Sequence, residues 1–313
     1  MLNENIGALF SALTSQDNFC QYNISPFQIK HLNEYDNIIA KGTKHKNLEK
    51  NIYHRFRGKE FNLTKSGRDA LNLILNNLNL CASDEIWIET TTNNFYISGC
   101  VTSTIEKYCG WSRKFSERTK AILINHEFGF TLENVDEYRK YNLPIIEDCA
   151  FSFLSENKSR SVGIHSDYVI ISFPKFLPVP WGGGVYASSK LPKQNVVGEN
   201  VLLTLVDFYI KDLDEIKKRR LFNYNLMAHY FNKEGFLARF EIQDGHVPGV
   251  FMFKHALDNN SIDSVKQHLN KSGIQSSVFY GEMAYFIPCH HEMTEVDVHY
   301  ICSKTIDALT RFG

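Results

Sequence analysis

Residues 167–188 read DYVIISFPKFLPVPWGGGVYAS, an apolar run followed by a lysine-containing loop and a second apolar run. The first run predicts a buried strand over 167–173, and the second predicts a strand over 183–188. The loop places Lys175 among prolines and apolar residues, which is unusual because lysine prefers water. Burial there would lower the pKa of the amine and make it nucleophilic. The alternative is a lysine that extends its amine to solvent.

Predicted strands and helices alternate on both sides of this stretch. Short apolar runs predict strands, and apolar positions at helical spacing predict helices. The other predicted strands are 85–89, 121–125, 143–148, 249–254 and 275–280. The predicted helices are 69–80, 131–141, 201–233, 261–272 and 294–309. This alternation predicts an α/β fold with a mainly parallel sheet, helices on both faces, and a small α+β domain at the end of the chain.

The length of the chain fits a molecule of two parts, since 313 residues suffice for one large domain and a smaller one. We expect an N-terminal arm at 1–50 and a large α/β domain at 51–200. A long connecting helix and the small domain would follow at 201–313. The last predicted helix has a start similar to a capping box, with Thr294 three residues before Asp297.

Composition and charge exclude several classes of function. A formal net charge of −1 gives no reason to expect a nucleic acid or an anionic membrane as partner. The basic run 217–220 sits among acidic residues and predicts a solvated helix face. Seven scattered cysteines and the absence of a signal peptide or membrane span favour the cytoplasm. The run Cys289-His290-His291 fits no usual zinc spacing, so no metal is expected.

Three features would meet at the carboxyl edge of the predicted sheet, where ligands bind in such folds. A helix start at Ser66-Gly67-Arg68 offers free N–H groups that suit a phosphate, unless Ser66 is only an N-cap. Asp148 ends the strand 143–148, and a plain loop carboxylate is its alternative reading. With the amine of Lys175, these groups match the needs of pyridoxal 5'-phosphate (PLP): a phosphate site, a carboxylate for the ring nitrogen and an amine for the aldehyde.

Six motifs in order resemble the DegT/DnrJ/EryC1/StrS family of PLP-dependent sugar aminotransferases. The resemblance extends over about residues 47–310, and the order of the motifs is more specific than any one of them. The matching stretches are Asn47-Leu48-Glu49-Lys50, LTKSGRDAL at 63–71, His126-Glu127-Phe128-Gly129, LPIIEDCA at 143–150, the strand and lysine loop at 162–183, and FIPCHHEMTEVDV at 286–298.

The resemblance implies a fold-type I PLP enzyme with a seven-stranded type of sheet, usually a homodimer with its sites at the interface. It implies that Lys175 carries the cofactor and later moves protons, and that Asp148 pairs with the pyridine nitrogen. The family reaction moves an amino group, usually from L-glutamate, to a nucleotide-linked keto sugar for surface polysaccharide such as lipopolysaccharide. The residues implied to hold the phosphate are Ser66, Gly67, Arg68 and Ser172.

The chain also departs from the family pattern. Asn93 stands where the family has an aromatic that stacks on the cofactor ring, and Phe95 or Tyr96 would take that place. Phe151 replaces a polar residue, and the usual Gly-x-Asn-Tyr-Arg motif is not recognisable after Gly184. Two alternatives therefore stay open: a PLP-dependent sugar dehydratase or isomerase, and a non-catalytic homologue that serves as a binding or scaffold protein.

Overall fold

A seven-stranded sheet forms the centre of the computed structural model, which describes residues 24–280 and 282–313. Its strands are β1 (Glu60–Thr64), β2 (Glu85–Thr90), β3 (Gly110–Ser112), β4 (Thr119–Asn125), β5 (Ile145–Asp148), β6 (Tyr168–Ser172) and β7 (Gly183–Ala187). They lie in the order β1-β7-β6-β5-β4-β2-β3. The five strands from β6 to β3 in this order are parallel, whereas β7 is antiparallel to both β6 and β1. The prediction of a mainly parallel seven-stranded sheet is confirmed.

Helices cover both faces of this sheet. The helices are α1 (Leu32–Lys41), α2 (Lys46–Leu48, continued by a π-helical turn Glu49–Tyr53), α3 (Gly67–Asn77), α4 (Gly99–Ile105), α5 (Glu199–Tyr209), α6 (Leu213–Lys233), α7 (Asn259–Lys271) and α8 (Glu295–Phe312), with 3-10 turns at Val135–Tyr141 and Phe173–Lys175. In β6, Ile170 packs in the core with α3, while Val169 and Ile171 pack in the opposite core with α2 and α5. An unbroken apolar run is therefore what a strand covered on both faces requires.

A second, three-stranded antiparallel sheet follows. Its strands are β8 (Val250–Lys254), β9 (Ser277–Phe279) and β10 (Ala284–Pro288), in the order β8-β10-β9. Buried residues of α6, α7 and α8 complete one apolar core with these strands. The predicted capping box of α8 is present, since Thr294 and Asp297 each bond the other's backbone N–H.

The sequence predictions fail at three kinds of place. The predicted helix 201–233 is two helices. The first ends at Tyr209, and Asp212 caps α6 by accepting a hydrogen bond from the Glu215 N–H at 3.1 Å. The predicted helix 131–141 is reduced to the 3-10 turn Val135–Tyr141, which Asn134 and Asn142 bracket in left-handed conformations. The short strands β1, β3 and β10 were not predicted.

The basic run 217–220 is only partly a solvated face, because Arg220 is buried. The division into an arm at 1–50 and domains at 51–200 and 201–313 stays a prediction, and residues 1–23 of that arm lie outside the described residues. Among the described helices, none is both long and apolar enough to span a bilayer.

Candidate active site

The carboxyl ends of the parallel strands β4, β5 and β6 lie side by side. Asn125 at the end of β4 is in register with Asp148 at the end of β5, and Asp148 pairs in turn with Ile170 of β6. The chain then turns after Ser172 into the short 3-10 segment that ends with Lys175. The sheet thus brings the predicted acid and the predicted lysine to one edge, where α/β folds bind ligands.

The amine of Lys175 lies between two aromatic rings. Its Nζ is 4.1 Å from the ring centre of Phe151 and 4.5 Å from that of Phe27. Burial lowers the pKa of this amine to about 8, although the charges of Cys100 and Asp148 act in the opposite direction. A larger share of the amine is therefore uncharged near neutral pH than in an exposed lysine, and the uncharged form is the nucleophile.

Among the described residues, one hydrogen bond reaches the carboxylate of Asp148. Its Oδ1 accepts one hydrogen bond, from the Ala150 N–H at 2.9 Å. Burial raises the pKa of this carboxyl, while the hydrogen bond from Ala150 and the charge of Lys175 lower it. A partly desolvated acid with spare acceptor capacity can hold a proton on a ligand nitrogen.

Glu147, the residue before Asp148, has a carboxylate that accepts several hydrogen bonds. It is fully buried, and its carboxylate accepts from His126 Nε2 at 2.9 Å and from the Gly163 N–H at 3.0 Å. Burial alone would raise its pKa, but these hydrogen bonds bring the pKa below the usual value. The Leu132 N–H bonds His126 Nδ1 at 3.0 Å, so the imidazole donates from Nε2. The sequence does not predict the contact between His126 and Glu147, although both residues lie in motifs that resemble the family.

The ligand atoms of His126, Glu147 and Cys149 lie within 4.8 Å of one another, a grouping that could hold a metal ion. Both imidazole nitrogens of His126 already have hydrogen-bond partners, however. A metal would have to displace at least one of these bonds. His126 and Glu147 therefore form a buried hydrogen-bonded pair that links the end of β4 to β5.

The start of α3 lies against the end of β6. Ser66 caps the helix, accepting from the Asp69 N–H at 3.2 Å, so its N-cap role is real. A Cβ at Gly67 would lie 3.3 Å from the Cβ of Ser172. A Cβ at Gly183 would lie 2.7 Å from the Gly67 nitrogen. These glycines let the helix start, β6 and β7 approach closely, so that Ser172 lies beside the first turn of α3, a cradle that suits a phosphate.

Cys100, which sequence reasoning missed, lies beside this cradle. Its Sγ is 2.8 Å from Nη2 of Arg68. Burial raises the pKa of the thiol, but the hydrogen bond and charge of Arg68, with Ser98 and Lys175, bring it below the usual 9.0. Arg68 and Cys100 are 32 positions apart, and no local pattern links them.

The two aromatic residues named for ring stacking lie in different surroundings. Phe95 is 69% exposed and packs on Trp111. Tyr96 is half-buried against Phe279, and its pKa is raised by burial and, to a smaller extent, by the charges of Tyr280 and Cys100. Asn93 turns away in a left-handed conformation and accepts a hydrogen bond from Arg113 at 3.1 Å.

A lysine, an acid and a glycine-lined helix start that share one sheet edge define the class of PLP-dependent transferases. A family model described as "Putative PLP-dependent aminotransferase" matches residues 48–243, more than half of the chain. The chain belongs to this family of PLP-dependent aminotransferases, and PLP is its cofactor. A search of curated protein sequences gives no match.

Solved structures share the fold over almost the whole chain. "Putative sugar aminotransferase Spr1654 from Streptococcus pneumoniae" is 16% identical, with 93% of this chain and 98% of that chain covered and a TM-score of 0.73. Helicobacter pylori PseC, an aminotransferase of pseudoaminic acid biosynthesis, is 14% identical, with 92% and 100% covered and a TM-score of 0.71. A DegT DnrJ EryC1 StrS aminotransferase from Brucella abortus is 12% identical, with 98% and 95% covered and a TM-score of 0.63. The predicted fold class is confirmed.

Proposed function

We propose that this aminotransferase moves an amino group from L-glutamate to a nucleotide-linked keto sugar, with Lys175 as the residue that carries PLP. The observation that carries the assignment of Lys175 is its half-buried amine, which lies between two aromatic rings with a pKa lowered to about 8. The sugar substrate is supported by the printed names of the similar structures, one a sugar aminotransferase and one an enzyme of pseudoaminic acid biosynthesis.

The residues at the sheet edge fit the cofactor group by group. The backbone N–H groups of Gly67 and Arg68 and the hydroxyl of Ser172 would bind the phosphate, with the guanidinium of Arg68 supplying charge. Ser66 would act by capping the helix that presents these donors. Tyr96 would cover the ring in place of Asn93. Asp148 would hold the proton on the ring nitrogen, because its carboxylate has spare acceptor capacity.

When bound, PLP supplies an aldehyde that takes up amino groups and a ring that withdraws electrons from the carbon beside the nitrogen. Asp148 would hold the proton on the ring nitrogen, which this withdrawal requires. The amine of Lys175 would serve first as general base and then as general acid at the reacting carbon. Its lowered pKa suits both roles near neutral pH. Phe27 and Phe151 flank the amine and would limit the access of water to it.

The proposal extends to assembly and setting. A cytoplasmic homodimer that serves surface polysaccharide synthesis is supported by the family resemblance. Free thiols at the six described cysteines fit a reducing compartment.

The decisive experiment is loading the purified protein with PLP, followed by borohydride reduction and peptide mass spectrometry. We expect the cofactor mass on Lys175, a visible absorbance band that Lys175→Ala lacks, and loss of that band on addition of L-glutamate. Lys190→Ala, which removes an exposed lysine just beyond β7, is the matched control and should behave as the wild type. Cofactor mass on another lysine would overturn the assignment.

The same preparation separates the alternative activities. A dehydratase or isomerase would convert a nucleotide-linked keto sugar without any amino donor, and L-glutamate would leave the absorbance band unchanged. A transaminase must consume one glutamate for each amino sugar formed. Product analysis by mass spectrometry, with and without glutamate, therefore decides the reaction type.

A further inference from the structure

A buried guanidinium contacts the backbone of the loop that contains Lys175. Arg220 on α6 is 2% exposed and is the bulkiest side chain among the fully buried ones. Within residues 24–280 and 282–313, no aspartate or glutamate oxygen lies within 4 Å of it. Burial lowers its pKa to about 10, with Cys289 acting in the opposite direction. A charge buried without a counter-ion is costly, so its contacts must account for its presence.

Those contacts are two backbone carbonyls from distant parts of the chain. Nη2 donates to the carbonyl oxygen of Lys175 at 3.0 Å, and Nη1 donates to that of Pro248 at 3.2 Å. Pro248 lies just before β8, so one side chain ties the lysine loop of the large sheet to the entrance of the small sheet. The planar guanidinium can serve two acceptors at fixed angles, which an ammonium group cannot do.

We propose that Arg220 is a positioning residue for Lys175. Arg220 donates to the carbonyl oxygens of both Lys175 and Pro248, and so fixes the backbone of the lysine loop. The fixed backbone keeps the Lys175 amine between Phe27 and Phe151. This proposal rests on the proposed role of Lys175 as the residue that carries PLP.

The next turn of α6 has the same kind of contact without a charge. Asn223 donates to the carbonyl oxygens of His290 at 2.8 Å and Met293 at 3.1 Å. One face of α6 thus holds two separate loops by their backbones. Only the Arg220 contact involves the residue that would carry PLP, which separates positioning of Lys175 from general docking of the helix.

Titratable groups face both members of the contact. Cys100 and Asp148 face the Lys175 amine, and both favour its charged form. Buried His290 and His291 lie near Arg220, and their pKa values are lowered first by burial and then by its charge. Because burial is the largest cause of the low pKa of Lys175, a loop that opens to water should return this pKa toward 10.5.

The test measures the Lys175 amine in the cofactor-free protein. Competitive acetylation across a pH series, read by mass spectrometry of the peptide that contains Lys175, gives the pKa of this one amine. We expect Arg220→Met to raise that pKa by about one unit or more, since both carbonyls lose their donor and the loop loosens. Arg220→Lys, which can reach one carbonyl, should give an intermediate shift.

Two control variants separate positioning from loss of stability. Arg219→Met removes the same charge from the exposed neighbouring position, and Met227→Ala weakens the same helix from its buried face in the small-sheet core. Neither should move the Lys175 pKa. An unchanged pKa in Arg220→Met, or an equal rise in Met227→Ala, would overturn the proposal. If Arg220→Met does not fold, an unshifted Arg220→Lys overturns it equally.

The proposed function can fail separately from this inference. If PLP attaches to another lysine while Arg220→Met still raises the Lys175 pKa, the positioning contact stands and the cofactor assignment is wrong. If PLP attaches to Lys175 and the pKa does not respond to Arg220, the reverse holds.

Discussion

Glu147 and Asp148 are neighbours on β5, yet they are held in opposite ways. Glu147 is fully buried and accepts hydrogen bonds from His126 and Gly163, which lower its pKa. Asp148 accepts one bond, from Ala150, and burial raises its pKa. Successive side chains of a strand point to opposite faces, so two identical functional groups enter different surroundings.

The difference supports the proposal that Glu147 serves the fold and that Asp148 is available to a ligand. A carboxylate with several donors is stabilised in its charged form and contributes to folding. A carboxylate that is desolvated without such donors opposes folding until a ligand supplies the missing partner. Native proteins accept such local costs at functional sites.

The largest effect is expected from Asp148→Asn. PLP affinity should fall about 10- to 100-fold, since a hydrogen bond to a charged group contributes about 1.5–3 kcal/mol. The raised pKa of Asp148 means that its ionisation opposes folding above pH 3.8, so the cofactor-free variant should be more stable than the wild type at pH 7. PLP titration and denaturant unfolding measure the two quantities. A loss of cofactor-free stability would contradict the contrast between the two acids.

A smaller effect of opposite kind is expected from Glu147→Gln. Leaving part of this buried cluster without its partner should lower the free energy of unfolding by about 1–3 kcal/mol. Because the folded-state pKa of Glu147 lies below 4.5, its contribution is complete above that pH and is lost as the pH falls through the lower folded-state value. Urea unfolding at pH 7 and at pH 3 should therefore show a difference from the wild type that shrinks at pH 3.

The smallest effect is expected far from both carboxylates, in Thr294→Ala. Thr294 caps α8 by accepting from the Asp297 N–H at 3.2 Å, and loss of such a cap costs about 1 kcal/mol. Thermal unfolding should show this loss, while PLP affinity stays at the wild-type value. A change in PLP affinity would mean that any loss of stability also affects the site. The separate roles of Glu147 and Asp148 would then be contradicted.

Sequence alone placed seven of the ten described strands, and it predicts Lys175 and Asp148 as site residues. The predicted strands occur within two residues at each end, because those of the large sheet are short apolar runs that pack on both faces. Asp148 ends β5 and Lys175 lies three residues after β6, and the carboxyl ends of parallel strands lie at one edge of the sheet. The PLP chemistry therefore followed from position along the chain.

Other features depend on contacts between distant residues. Nothing in the run KKRR at 217–220 distinguishes Arg220 from its neighbours except its spacing, four residues from both Ile216 and Tyr224 on the buried face of α6. Cys100 meets Arg68 only in the folded chain. The start of α6 has a sequence signal, because Asp212 stands three residues before Glu215. The apolar pattern continues across this position and predicts one unbroken helix instead.

The order of strands also has a consequence for synthesis on the ribosome. β1 bonds only to β7, whose first residue is translated about 120 residues later. At roughly 5–20 residues per second, the nascent β1 waits roughly 6–24 s for its partner. The start of α3 packs against Gly183 of β7. The cradle for the phosphate is therefore completed only after β7 has been translated. Until then the growing chain exposes an unpaired strand edge.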